Sequence, residues 1–127
     1  MEIINESRIE EFTKDGKNFM YLDFSNIKTH DKLIKMMELA KSKIAKYDEQ
    51  SLYTITNIEN LRLDLKAKEH SIEYLNTNKR YVKSGALIGM DGIKKVMIKT
   101  VIKLSGRENI FFAYSKDQAV EDFLQQE

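Results

Sequence analysis

The sequence predicts an α/β domain: a mixed, mostly parallel sheet that opens with an antiparallel hairpin and is covered by four helices. Asp15-Gly16 separates two strand-like stretches, as in a two-residue hairpin turn. Beyond it, segments with helical periodicity alternate with short apolar runs, an order typical of parallel strands joined by helices. The 127 residues have the size of one domain and contain no linker-like stretch, so residues 1–127 are expected to form a single domain.

The strand after the hairpin is expected to lie inside the sheet. Between residues 17 and 24, Phe19, Met20, Leu22 and Phe24 place apolar side chains on both faces of the strand. A strand that is apolar on both faces is covered on both sides, as in parallel sheets flanked by helices.

The next elements follow from the same kinds of pattern. Thr29 is a candidate N-cap, and the apolar residues after it recur at helical spacing. These residues are Leu33, Met36, Met37, Ala40, Ile44 and Tyr47. Residues 51–57 are rich in β-branched and aromatic side chains, which predicts a buried strand. Residues 63–79 predict a second helix whose apolar stripe is interrupted.

Two further strands, residues 81–88 and 109–114, flank the most regular helical pattern in the chain. This helix covers residues 92–105 and is followed by Gly106, where a left-handed C-cap belongs. Its expected core stripe comprises Ile93, Val96, Met97, Thr100, Val101 and Leu104. Ser115 begins a capping-box pattern, which predicts a final short helix.

A candidate interface lies on the opposite side of the helix at residues 92–105. At about 100° per residue, Ile98 and Ile102 point away from the expected core stripe. The lysines around them are Lys94, Lys95, Lys99 and Lys103. An apolar pair in a basic rim suits a homodimer contact, a protein partner or a peripheral contact with an anionic membrane. Two isolated surface isoleucines are the other interpretation, and both stay open.

A weaker candidate is the glycine-rich turn before this helix. Backbone N–H groups at Gly89 and Gly92 could approach an anion at the helix N-terminus. The spacing matches neither a P-loop nor a dinucleotide fingerprint, and Asp91 puts a negative charge where the anion would sit. A tight strand-to-helix turn is the favoured interpretation.

Composition and motifs argue against several classes of function. The chain has no Cys, and no apolar run approaches the length of a membrane span, so a cytoplasmic location is expected. With 21 Lys and Arg against 20 Asp and Glu, the overall charge gives no reason to expect a nucleic-acid partner. His30 and His70 belong to no metal-binding pattern and are expected to be solvated. We identify no catalytic, cofactor-binding or metal-binding residues in the sequence.

Several stretches resemble the STAS-like family, which comprises anti-sigma-factor antagonists and their relatives. Residues 16–25 (GKNFMYLDFS) are similar to that family's strand ending in Asp-Phe-Ser. Residues 81–89 (YVKSGALIG) are similar to a later strand that starts with an aromatic residue, Val and Lys. Residues 104–107 (LSGR) and 119–124 (AVEDFL) continue the match, with Phe123 where the family usually has Trp. The resemblance covers nearly the whole chain.

The resemblance implies regulatory partner binding and, in a subgroup similar to CRAL-TRIO lipid-transfer domains, a cavity for an apolar ligand. Phosphorylated members carry a switch hydroxyl just after the central strand. Residues 57–62 (NIENLR) contain no Ser or Thr, which argues against that switch here. The favoured function is a non-enzymatic regulatory or protein-binding module that acts through a helix face. A carrier of an apolar ligand is the first alternative, and a small enzyme is the second.

Overall fold

The computed structural model describes residues 3–126. Its strands are β1 (Ile9–Lys14), β2 (Lys17–Asp23), β3 (Leu52–Asn57), β4 (Val82–Ile88) and β5 (Ile110–Phe112). Its helices are α1 (His30–Ile44), α2 (Leu65–Asn78), α3 (Gly92–Ser105) and α4 (Lys116–Leu124), and a 3-10 turn, Glu6–Arg8, precedes β1. The last strand is shorter than residues 109–114, the range that the sequence predicts.

The five strands form one mixed sheet in the order β1-β2-β3-β4-β5. β1 pairs antiparallel with β2, and the other three pairings are parallel. The predicted fold class, a mostly parallel sheet with an N-terminal antiparallel hairpin and four helices, is therefore confirmed. The predicted interior position of the strand at residues 17–24 is confirmed as well, because β2 lies between β1 and β3.

The two faces of the sheet carry separate apolar cores. Successive parallel strands are added in one direction, so right-handed crossovers place α1, α2 and α3 on the same face. That face holds the larger core, to which Met20 and Leu22 contribute from β2. Phe19 points to the other face, where it packs with Phe123 of α4. The two apolar faces of β2 thus follow from having helices on both sides.

Side-chain caps fix the ends of the elements. Thr29, Asp64, Asp91 and Ser115 accept backbone N–H groups at the starts of α1, α2, α3 and α4. Gly106 ends α3 with φ 77°, which confirms the predicted left-handed cap. In the β1-β2 turn, Asp15 and Gly16 have φ values of 51° and 78°, as a two-residue hairpin turn requires.

The predicted orientation of α3 is wrong. Ile98, expected to point outward, is 7% exposed, and Ile102 packs against the same core from a half-buried position. Ile93, Val96 and Leu104, expected in the core, are instead exposed, whereas Val101 of the same expected stripe is buried as predicted. The helix carries apolar residues around most of its circumference, so periodicity alone fits two different stripes.

Polar contacts with neighbouring elements fix the orientation that the helix adopts. The Asn76 amide on α2 donates to the Ser105 carbonyl at 3.0 Å. The small side chain of Ser105 is buried and donates back to the Ile102 carbonyl. At the other end of α3, the Lys94 ammonium donates to the Ile58 carbonyl at 3.3 Å. These contacts turn the Ile98 side of the helix toward the core.

Within the described range, no helix is long and apolar enough to cross a membrane.

Candidate functional site

The outer surface of α3 carries a row of exposed apolar side chains. Ile93, Val96 and Leu104 are 92%, 75% and 58% exposed. We call these three residues the α3 apolar face. Half-buried Met97 and Thr100 lie on the same side of the helix. Together with them, the face has the alternating four- and three-residue spacing at which two helices pack, at Ile93, Met97, Thr100 and Leu104.

The lysines of the predicted interface divide between two environments. Lys95, Lys99 and Lys103 are exposed. At about 100° per residue, Lys99 and Lys103 lie on the Val96 side of the α3 apolar face, and Lys95 lies further round the helix. Lys94 is half-buried, bonded to the Ile58 carbonyl and 3.5 Å from the Asp91 carboxylate. Three of the four predicted lysines therefore lie on the surface of α3. They do not surround Ile98 and Ile102 as predicted, because these two residues are part of the core.

The glycine-rich turn before α3 is a capping structure. The Asp91 carboxylate accepts the Ile93 and Lys94 backbone N–H groups at 3.0 and 2.9 Å, and these bonds lower the pKa of Asp91. The donors that a bound anion would use are therefore occupied. Gly89 has φ 79°, and a Cβ added there would lie 2.7 Å from the Asn57 side-chain oxygen. The turn requires glycine for close packing, and Asp91 fills the proposed anion position.

The two histidines, expected to be solvated, lie against each other. His30 at the start of α1 and His70 on α2 have ring centroids 4.7 Å apart, and both are half-buried. The His30 Nδ1 is buried and has no hydrogen-bond partner within residues 3–126. No group of three or more His, Asp or Glu side chains in that range is arranged to hold a metal ion.

A polar cluster lies inside the larger core, between α2 and the sheet. Its central residue is Arg107, which follows the C-cap of α3 and is only 5% exposed. Its Nε donates to the Asn109 side-chain oxygen at 3.2 Å, and its Nη1 donates to the Leu75 carbonyl at 3.3 Å. Burial lowers the pKa of Arg107, and no carboxylate in the described range lies within ion-pair distance of it.

A small cavity of about 20 Å³ adjoins the Arg107 guanidinium. Thr54, Thr56 and Tyr74 contribute hydroxyl-bearing side chains to its lining. A Cβ added to Gly85 would lie 3.0 Å from the Thr54 Oγ1 and 3.5 Å from an Arg107 nitrogen. The first distance is tight and the second is an ordinary contact, so the absence of a side chain at Gly85 mainly leaves room for the Thr54 hydroxyl.

Tyr74 presents an unpaired hydroxyl in the same region. The residue is 8% exposed, and its buried hydroxyl makes no hydrogen bond in the part of the chain that the structure describes. Burial raises the pKa of Tyr74 and outweighs the effects of the Arg107 charge and of Asn78, which both lower it. The phenol is therefore neutral at physiological pH.

A larger, apolar cavity of about 80 Å³ lies beside this polar one. Thr56, Tyr74, Leu75 and Leu87 line both cavities. The remaining walls come from α1, α3 and the loops at the ends of the strands, and include Phe24, Leu33, Met37, Ile58, Ile98 and Val101. The core face of α3 thus lines an apolar cavity, and the neighbouring polar cavity is lined by the buried Arg107.

The Arg107 cluster was not predicted from the sequence. The apolar stripe expected for the second helix comprises Leu65, Ile72 and Leu75 and leaves out Tyr74. Leu65 is in fact 75% exposed. The available signal was the pair Thr54 and Thr56 on one face of a buried strand, since hydroxyls facing a core need polar partners. An arginine directly after a helix C-cap gives no sign by itself of being buried.

Comparison with known proteins finds no match for this chain among protein-family models, curated proteins or solved structures. The STAS-like resemblance therefore stays a prediction that depends on residues 16–25, 81–89, 104–107 and 119–124.

Proposed function

We propose that this chain is a non-enzymatic binding module that docks a protein partner through the α3 apolar face. The observation that carries the proposal is the exposure of Ile93, Val96 and Leu104 along one side of a helix whose other side is packed. Burying each side chain contributes roughly 1.5–3 kcal/mol, a substantial part of the ~8 kcal/mol of a micromolar complex. Regularly spaced apolar anchors are typical of helix-in-groove and helix-on-helix recognition.

The charges around the face define the chemistry of the partner. Residues 92–105 include Lys95, Lys99 and Lys103 on the surface and no acidic residue. Asp91, just before the helix, has its carboxylate engaged in capping. The complementary partner is an amphipathic helix or groove with Asp or Glu beside its apolar residues, because unlike charges at the rim guide association and fix orientation.

The same charges disfavour a second copy as the occupant, and the side-chain composition of the face disfavours a membrane. A two-fold contact through α3 would bring two all-basic rims together, and like charges at an interface are repulsive. The face consists of Ile, Val and Leu and lacks the Trp and Phe side chains that interfacial membrane helices often use. An acidic protein surface is the occupant that fits both the apolar stripe and the charge.

Site-specific photo-cross-linking in cells that express the chain tests this proposal. A photoreactive residue at position 96 lies in the middle of the face, and the same residue at position 65 is a matched control, because Val96 and Leu65 are both 75% exposed. We expect protein adducts from position 96 that are absent from position 65. Mass spectrometry should map them to apolar segments flanked by Asp and Glu.

Three outcomes would contradict the proposal. Adducts with a second copy of the chain would identify self-association, and adducts with lipid would identify a membrane contact. Identical adducts from positions 65 and 96 would show that the α3 apolar face has no selectivity.

A triple Lys95→Glu, Lys99→Glu and Lys103→Glu variant should lose the adducts from position 96 while keeping its melting temperature, because all three lysines are exposed.

A further inference from the structure

The buried guanidinium of Arg107 lacks a counter-charge. Burying a cation away from water is costly, and buried charges in proteins are usually paired with an opposite charge. Arg107 is 5% exposed, and its bonds go to neutral oxygens of Asn109 and Leu75. An anion of about carboxylate size would supply the missing charge and could accept hydrogen bonds from the guanidinium.

The surroundings of Arg107 favour an anion that is carried by an apolar molecule. The neutral Tyr74 hydroxyl has a proton to donate and no bonded partner in the described range. The polar cavity of about 20 Å³ holds about one water-sized group, so one carboxylate oxygen fits there and the rest of the ligand extends past Tyr74, which lines both cavities. The adjoining apolar cavity of about 80 Å³ is smaller than the ~150 Å³ that accommodates benzene, so it suits a short alkyl chain.

We propose that Arg107 and Tyr74 form the polar end of a buried site for a small monocarboxylic acid, whose alkyl tail occupies the apolar cavity under α3. The carboxylate oxygens accept from the Arg107 guanidinium and the Tyr74 hydroxyl. The tail packs among residues of α1, α2 and α3 that line the cavity, including Leu33, Leu75 and Ile98. The site lies on the core side of α3, so this inference does not depend on the α3 apolar face.

Calorimetric titration of the purified full chain with straight-chain acids from butyrate to decanoate tests the site. We expect saturable binding with one acid per chain, an optimum at an intermediate length set by the cavity, and a raised melting temperature. A primary alcohol of the optimum length should bind at least about tenfold more weakly, because it cannot form the charge-assisted bonds to Arg107.

Two substitutions separate the polar end from the tail site. Tyr74→Phe should weaken binding of the optimum acid about tenfold while the chain stays folded, since it removes only the hydroxyl. Tyr53→Phe is the matched control, because Tyr53 is a buried tyrosine on the opposite face of the sheet and should bind as the wild type does. Leu87→Phe, at a position shared by both cavities, should shift the optimum to a shorter acid.

Arg107→Met removes the charge and should abolish the preference for acids over alcohols. If that variant fails to fold, the comparison of acid with alcohol and of Tyr74→Phe with Tyr53→Phe still decides the matter. The proposal is overturned if no acid binds saturably, if acids and alcohols of equal length bind equally, or if the two tyrosine variants behave alike.

Discussion

Truncation of two isoleucines on the same helix measures which face of α3 supports the fold. Ile98 is 7% exposed in the larger core, whereas Ile93 is 92% exposed on the outer surface. Ile98→Ala and Ile93→Ala remove the same three carbon atoms from helical positions. The two variants therefore differ mainly in the burial of the atoms that are lost.

The magnitudes follow from that burial. Removing three buried carbons costs roughly 2.4 kcal/mol in transfer free energy, and a further amount arises because the change enlarges the cavity that Ile98 lines. We expect Ile98→Ala to lower the free energy of unfolding by about 2.5–4 kcal/mol, or the melting temperature by about 8–15 °C. The free energy of unfolding of Ile93→Ala should stay within ~0.5 kcal/mol of the wild-type value. The higher helix propensity of alanine acts to raise it slightly.

Urea denaturation followed by far-UV circular dichroism gives both free energies, and equal slopes show that the comparison is valid. If Ile98→Ala is as stable as the wild type, the Ile98 side of α3 does not face the core. The orientation of α3 is refuted equally if Ile93→Ala is destabilised by more than ~2 kcal/mol, since that would place Ile93 in the core.

Three further predictions concern the turns and the titrating groups. Gly89→Ala should destabilise the fold by roughly 1–3 kcal/mol, and thermal melts should show a larger effect than for Gly16→Ala. Both glycines have positive φ, but only Gly89 lacks space for a Cβ. The backbone N–H bonds that Asp91 accepts lower its pKa, so Asp91 stabilises the fold above the ordinary Asp pKa, and this stabilisation is lost as the pH falls through the pKa of the folded state. In a plot of melting temperature against pH, Asp91→Asn should therefore make the decrease at acidic pH less steep. An unchanged decrease would contradict this prediction. Burial of Tyr47 and the hydrogen bond from its hydroxyl to Glu11 raise the pKa of Tyr47 to about 12. Tyr47 therefore stabilises the fold below the ordinary Tyr pKa of ~10, and this stabilisation is lost as the pH rises through about 12. Ultraviolet titration of Tyr47→Phe should show one late-ionising phenol fewer than titration of the wild type.

The fold class was predictable because each of its signals is local. The Asp15-Gly16 turn, the caps at Thr29 and Ser115 and the left-handed Gly106 depend on residues a few positions apart. Once the structure gives the strand order, the right-handed crossover accounts for the face of the sheet that α1, α2 and α3 cover.

The orientation of α3 was not predictable in this way. The helix offers two apolar stripes, and the choice between them depends on contacts from Asn76 and Ile58, which are distant in sequence. The Arg107 cluster was missed for a related reason. Its members come from β3, α2 and the segment after α3, and only the folded chain brings them around one cavity.

The affinity of a partner identified by cross-linking at position 96 tests the proposed docking function most directly. Isothermal titration would compare wild type, Val96→Glu and Leu65→Glu, in which equally exposed apolar residues on α3 and α2 receive the same charge. We predict that Val96→Glu weakens binding at least about tenfold, because it removes an apolar anchor and repels an acidic partner, while Leu65→Glu changes the affinity less than about twofold. Equal affinities for the two variants would contradict the proposal that this chain binds its partner through the α3 apolar face.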